Sequence, residues 1–185
     1  MTQNSIRIID FYHGYQHFFD KEDFVKQLGL YAGTEINYNY NNLRKLLDLG
    51  TSLNVQLSGN IQSEMNYNYT VNEEFDGFNA EGMHELSAFV SYNPSESIRL
   101  GMFTKIGESI RYDSENPSIG DSFFIGTFNN FQFTPKIRFS PSLRYSQLKD
   151  KTNGESYFSG YIARANLNFQ FNQTISFRLV GEYND

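Results

Sequence analysis

Histidines and acids are the residues of this chain whose types could hold a metal ion. His13 and His17 are four residues apart, a spacing that lets two rings share a metal on a helix but separates them by about 13 Å on a strand. The acids form two groups, Glu73, Glu74 and Asp76, and Asp113, Glu115 and Asp121. Calcium prefers oxygen-rich loops, but neither group has the EF-hand spacing. We therefore predict no metal site and no cofactor.

Sequence signatures of catalysis are missing from the chain. It contains no Gly-x-Ser-x-Gly, no phosphate-binding loop and no dinucleotide fingerprint. It also has no Cys, which excludes cysteine nucleophiles, thiolate metal sites and disulfides. A carboxylate pair could hydrolyse a glycoside only at a separation of about 5–9 Å in a cleft, and nothing in the sequence indicates one. We predict that this chain has no catalytic activity.

A third set of charged residues recurs on the polar side of segments in which polar and apolar residues alternate. The earlier segments supply mostly acids and the later ones mostly arginine. One interpretation is that these charges pair across a lumen, or line a pore that orients a polar solute. The alternative is hydrogen-bonded filling of a closed barrel. The set comprises Glu35, Asp48, Glu64, Arg99, Lys105, Arg138, Arg144, Arg164, Arg178 and Glu182.

The composition limits the classes of protein to which the chain can belong. The 185 residues are 19% charged and 17% aromatic, with 18 Phe, 13 Tyr and no Trp. This is too much apolar and ring surface for a disordered chain, and the net charge of -6 argues against a nucleic-acid partner. No window of about 18 apolar residues predicts a transmembrane helix, and the first twelve residues do not resemble a signal peptide.

Alternation with a period of two dominates the chain and predicts strands with two different faces. The clearest segment is Tyr161–Phe171, where Tyr, Ala, Leu and Phe occupy every second position. Similar segments predict about ten strands, although 83–92 and 121–133 alternate less cleanly and 5–17 is ambiguous. The alternation from Leu47 to Ser58 predicts a strand, and leucines at helical spacing make a short helix over Asn42–Leu49 its less favoured alternative.

Three features favour a transmembrane barrel over a soluble sheet. Many predicted strands have 10–13 residues, enough to cross a bilayer and longer than typical soluble strands. The polar side is rich in Asn, Ser, Gln and Arg, which suits a hydrated lumen. Rings gather near strand ends, as in an aromatic girdle, although they could also be the core of a soluble sandwich. The predicted girdle is Tyr38, Tyr40, Tyr67, Tyr69, Tyr92, Phe131, Phe133, Phe169, Phe171 and Tyr183.

The connections between the predicted strands alternate between short turns and longer loops. Tight turns are predicted at 58–60, 93–96, 134–136 and 172–173, and longer polar loops near 72–82, 113–120 and 149–156. Short periplasmic turns and longer external loops are typical of outer-membrane barrels. We predict one all-β domain over residues 1–185: an antiparallel up-and-down meander of about ten long strands. It would form a transmembrane barrel or an arc of a larger one, truncated at both ends.

Several motifs resemble those of a known family. They are Ile110-Arg111-Tyr112 with Asn116-Pro117-Ser118-Ile119-Gly120, Ser142 to Lys149, Ala165 to Phe171, and Ser176 to Asp185. The C-terminal half in particular resembles the large outer-membrane proteins of Bacteroidetes that carry the DUF5916 domain. The resemblance implies an export signal, a domain similar to carbohydrate-binding module family 9, and then a long barrel region. Only the barrel region has a counterpart here.

The expected function follows from the barrel prediction and this resemblance. We expect an outer-membrane segment of a Gram-negative bacterium, exported by a signal peptide that is absent from this chain. It would act as a membrane scaffold or as a passage for a polar or carbohydrate solute, with outer-membrane lipid as its partner. The alternatives are a soluble all-β binding module and the barrel part of a carbohydrate-active surface protein.

Overall fold

A computed structural model shows a single antiparallel sheet. It describes residues 7–39, 43–113 and 115–185. Ten strands follow each other in chain order, each paired with the next, so the predicted all-β up-and-down meander is confirmed. The strands are β1 (Arg7–Phe18), β2 (Val25–Tyr38), β3 (Arg44–Leu57), β4 (Ile61–Phe75), β5 (Phe78–Ser95), β6 (Ile98–Arg111), β7 (Ser118–Thr134), β8 (Ile137–Asp150), β9 (Ser156–Gln170) and β10 (Ser176–Asn184).

The possible helix at Asn42–Leu49 is wrong for its described part, because β3 begins at Arg44. Leu47 pairs with Ile36 of β2, and Leu49 pairs with Thr34. Pairing with strands on both sides satisfies the backbone of β3 and places alternate leucines on one face. The helical spacing of three leucines is therefore overridden by tertiary pairing.

The loop predicted near 72–82 is also wrong. β4 continues to Phe75 and β5 starts at Phe78, leaving the two-residue turn Asp76-Gly77. Both turn residues have positive φ, 48° for Asp76 and 86° for Gly77, as a type I′ hairpin requires. The acids Glu73 and Glu74 consequently lie within a strand. The connections at 112–117 and 151–155 are longer, as predicted, but the turn predicted as tight at 172–173 is the connection 171–175, which is as long as 151–155.

Cross-strand pairing assigns each residue to one of two faces, because paired residues of an antiparallel sheet point the same way. Leu28 and Leu30 of β2 pair with Val55 and Leu53 of β3. On the opposite side of the same strands, Glu35 pairs with Asp48. The sheet therefore has an apolar face and a polar face, and the two alternate along each strand.

The sheet remains open, with β1 and β10 as its two edge strands. All residues of these two strands are exposed. Among the described residues the buried hydrophobic core contains only Ala80, Met83 and Ile110. Large residues of the apolar face are exposed instead, including Met65 at 50% and Ile106 at 54%. A sheet of this size therefore leaves most of its apolar surface without a protein partner.

Candidate functional site

The ten charged residues predicted to face a lumen all lie on the polar face. The register links them across the sheet: Glu35 pairs with Asp48, Lys105 with Phe124, and Arg164 with Glu182. Their acids are concentrated on β2–β4 and their basic residues on β6–β10, apart from Glu182 at the far edge. The polar face therefore has an acidic half and a basic half.

The acidic half contains a row of three carboxylates on neighbouring strands. Asp10 pairs with Glu35, and Glu35 pairs with Asp48. Like charges directly opposite each other are destabilising in a sheet. The row borders a groove of about 410 Å³, which Gly33, Gly50 and the Tyr12 and Tyr31 rings also line. Asp10 belongs to this carboxylate row but was not predicted from the sequence, because polar and apolar residues alternate ambiguously in the segment 5–17.

The basic half contains a groove of about 510 Å³ along β7–β10. Arg144, Arg164 and Arg178 line it together with Glu182. The Arg164 Nε lies 3.7 Å from a Glu182 carboxylate oxygen, and Arg178 donates a hydrogen bond of 3.4 Å to the Asn166 side-chain oxygen. Arg138 lies on the same face, paired with Asn168, but outside the groove lining.

Aromatic rings cover the polar face between the two halves. The Phe89 and Phe128 rings stack with centroids 5.6 Å apart, and the Phe103 and Phe124 centroids lie 4.8 Å apart. Phe128 lies against Gly101, whose missing side chain makes room for the ring. This set was not predicted from the sequence, because β5 and β7 carry rings on both faces and the alternation at 83–92 and 121–133 is therefore weak.

The ion pairs of the polar face join neighbouring strands. Lys105 binds Glu85 across β5 and β6 at 2.9 Å, and Arg99 lies over the Phe128 ring at 5.6 Å. Glu64 accepts a hydrogen bond of 2.8 Å from Asn66. In this open sheet these contacts are local, and among the described residues no ion pair joins an acid of β2–β4 to an arginine of β8–β10.

The described members of the predicted aromatic girdle all lie on the apolar face, and Tyr40 lies outside the described residues. One group stands within three residues of a strand end, beside the turns at 96–97, 135–136 and 171–175. A second group lies toward the opposite end of the sheet. The first group is Tyr92, Phe131, Phe133, Phe169 and Phe171; the second is Tyr38, Tyr67, Tyr69 and Tyr183.

Three further rings extend the second group. The first ring, Phe123, pairs with Ile106, which pairs in turn with Leu86. The other two rings, Tyr145 and Tyr161, pair with each other. The Tyr161 centroid is 5.6 Å from that of Tyr183. Phe123, Tyr145 and Tyr161 were missed because they lie in mid-strand, and only the register brings them level with the others.

The two groups form two rows, and two strands carry rings of both rows. Eight residues separate Phe123 from Phe131 on β7, and eight separate Tyr161 from Phe169 on β9. This is about 26 Å along a strand, or about 20 Å perpendicular to a membrane for strands tilted by about 40°. Between the rows lie Ala163, Ala165 and Leu167 on β9 and Ile125, Thr127 and Asn129 on β7, so the rows enclose a mainly apolar band.

The acids that could have formed a cation site serve as turn caps and ion-pair partners. Asp113 accepts hydrogen bonds from the backbone of Glu115 and Asn116, which hold its carboxyl pKa below its usual value. Tyr112 donates a hydrogen bond to Glu73, and burial together with that carboxylate raises the pKa of Tyr112 to about 12. No group of three metal-binding side chains occurs among the described residues.

The two histidines of the N-terminal segment lie on β1. His13 pairs with Ala32, and His17 pairs with Leu28, so both stand on the apolar face. The His17 ring contacts the Phe19 ring edge to face, with centroids 4.5 Å apart. Four residues of extended strand separate the histidines, too far for one metal ion.

Comparisons with known proteins give no family for the chain. No protein-family model, curated protein or solved structure matches it. The resemblance to DUF5916-domain proteins therefore remains an expectation. Within the described ranges, no helix is long and apolar enough to span a membrane.

Proposed function

We propose that this chain is part of the wall of an outer-membrane β-barrel, where it acts as a scaffold or as a passage for a polar solute. The observation that carries the proposal is the exposed apolar band between two rows of rings. Leu143 of β8 and Leu179 of β10 lie on this face with 48% and 55% of their surface exposed. Exposed apolar patches of this extent mark lipid or protein contacts.

The polar face supports the same function. A barrel wall needs polar side chains toward the lumen and apolar ones toward lipid, alternating along each strand. The ten charges, Ser87 and Ser91 all occupy one face, and the strands have 9–18 residues. A location in the outer membrane of a Gram-negative bacterium is consistent with the resemblance to Bacteroidetes proteins. No catalytic role is proposed for this chain.

Closure of the barrel is part of the proposal. Hydrocarbon offers no hydrogen bonds to an open strand edge, so every strand in a bilayer must be paired on both sides. The edges of β1 and β10 would pair with each other or with further strands. β1 and β10 run antiparallel in a ten-strand meander, so direct pairing between them would preserve the antiparallel pattern.

Refolding from urea tests the proposal. We expect the chain to stay aggregated in buffer, and to acquire β-type circular dichroism in dodecyl maltoside micelles. Unboiled samples should then migrate differently from boiled samples in a denaturing gel, because a closed barrel resists the detergent at low temperature. A monodisperse β-protein in detergent-free buffer would contradict the proposal and favour a soluble all-β binding module.

A further inference from the structure

We propose that the groove along β7–β10 binds a solute carrying a carboxylate or phosphate group, through Arg144, Arg164 and Arg178. The inference rests on the proposed passage function and specifies the class of solute. The groove volume of about 510 Å³ lies within the range of small-molecule sites.

The groove carries an excess of positive charge. Three arginines and one acid, Glu182, are the charged residues of its lining. Two basic side chains outside the groove illustrate the contrast, because each has a close acidic partner: Lys105 lies 2.9 Å from Glu85, and Arg111 lies 2.6 Å from Asp113. In the described part of the chain Arg144 makes no ion pair, and Arg164 reaches its carboxylate only at 3.7 Å. The groove thus has cationic groups available for an anion.

The three arginines are spread along the groove: Arg144 pairs with Ile162, Arg164 with Ser142, and Arg178 with Asn168. Arg164 pairs with Ser142 and Glu182, and Arg144 stands two residues from Ser142 on β8. Arg178 of β10 lies farther from Arg164 along the sheet, but its side chain donates a hydrogen bond to Asn166. Asn166 is two residues from Arg164 on β9, so the Arg178 guanidinium extends toward the Arg164 position.

Guanidinium groups select the chemistry of the ligand. Each offers a planar fork of donors that matches two oxygens of a carboxylate or phosphate, and such charge-assisted bonds are stronger than neutral ones. Ser140, Ser142 and Asn166 add hydroxyl and amide groups to the lining. The carboxylate row of Asp10, Glu35 and Asp48 lies on the other half of the polar face, where it would repel the same solute.

The test uses the refolded chain in uncharged dodecyl maltoside, with inorganic phosphate and citrate as probes. Phosphate binding is followed by ³¹P line broadening and citrate binding by calorimetry. We expect saturable binding that weakens as NaCl is raised. Arg144→Gln and Arg178→Gln should each weaken it roughly tenfold to a hundredfold, as expected for loss of charge-assisted hydrogen bonds. Glu182→Gln should strengthen it several-fold, because Arg164 loses its competing carboxylate.

The control is Lys149→Gln, which removes one positive charge from β8 outside the groove lining. It should change binding less than about twofold, as expected for an exposed charge screened by salt. Arg144→Lys keeps the charge but loses the fork, so weakened binding in this variant indicates fork recognition. Circular dichroism establishes that each variant is folded before binding is compared.

Two results would overturn the inference. One is the absence of saturable binding to the refolded chain, and the other is equal loss in Lys149→Gln and Arg144→Gln. Either result, combined with detergent-dependent folding and a gel shift, leaves the barrel proposal intact. Conversely, phosphate binding to a chain that is soluble without detergent would support the site and contradict the barrel proposal.

Discussion

Replacing Leu143 with arginine is expected to lower the free energy of unfolding of the chain in lipid vesicles by about 2–4 kcal/mol. Leu143 lies on the apolar face of β8, between Tyr145 and Phe139, and is 48% exposed. In a membrane this exposed surface contacts hydrocarbon, where arginine is costly. The measurement is reversible urea unfolding in vesicles, followed by circular dichroism.

The matched control is Ser146→Arg on the same strand. Ser146 pairs with Phe124 and Gly160 on the polar face, so its arginine would extend into the lumen and change the stability by at most about 1 kcal/mol. A half-exposed leucine on a soluble sheet would tolerate arginine equally well, within about 0.5 kcal/mol. Equal stability of the two variants would therefore argue that the apolar face is not in contact with lipid.

Replacing Gly107 with alanine is expected to lower the free energy of unfolding by about 3 kcal/mol, toward the upper end of the cost of overpacking. A Cβ at this position of β6 would overlap the backbone carbonyl oxygen of His84 and lie 2.6 Å from the Glu85 Cα. These are backbone atoms of β5, which cannot rotate away. We expect the end of the β5–β6 pairing to separate.

Gly181→Ala on β10 provides the comparison, because a Cβ there meets no atom within 4 Å. It should leave stability unchanged or slightly raised, since alanine restricts the unfolded chain more than glycine does. The same urea titration measures both variants. If Gly107→Ala were as stable as Gly181→Ala, the close approach of β5 and β6 at Gly107 would be wrong.

The faces of the sheet could be predicted from sequence because strand alternation has a period of two. Every charge assigned to the polar side, from Glu35 to Glu182, occupies one face. The strand number also followed from the alternating segments and turn residues. Asp76-Gly77 is a hairpin signal that sequence analysis overlooked, because the acids around it suggested a solvated loop.

The register and the fit between strands could not be predicted. Whether Tyr145 stands beside Tyr161 depends on how β8 and β9 align, which turns and bulges determine. The rings of Phe89 and Phe128 disrupt the alternation that defines a polar side, and their position depends on space left by Gly101 on another strand. Such fits involve residues distant in sequence, so no local pattern reveals them.

The contact of the apolar face with lipid is tested most directly by fluorescence. The chain has no Trp, so a single introduced tryptophan reports only its own surroundings. We would place it at Leu143 on the apolar face or at Ser146 on the polar face, refold each variant into vesicles, and add brominated lipid as a quencher. If the apolar face contacts lipid, we expect strong quenching at position 143 and little at position 146. Quenching at neither position, or the same quenching at both, would contradict it.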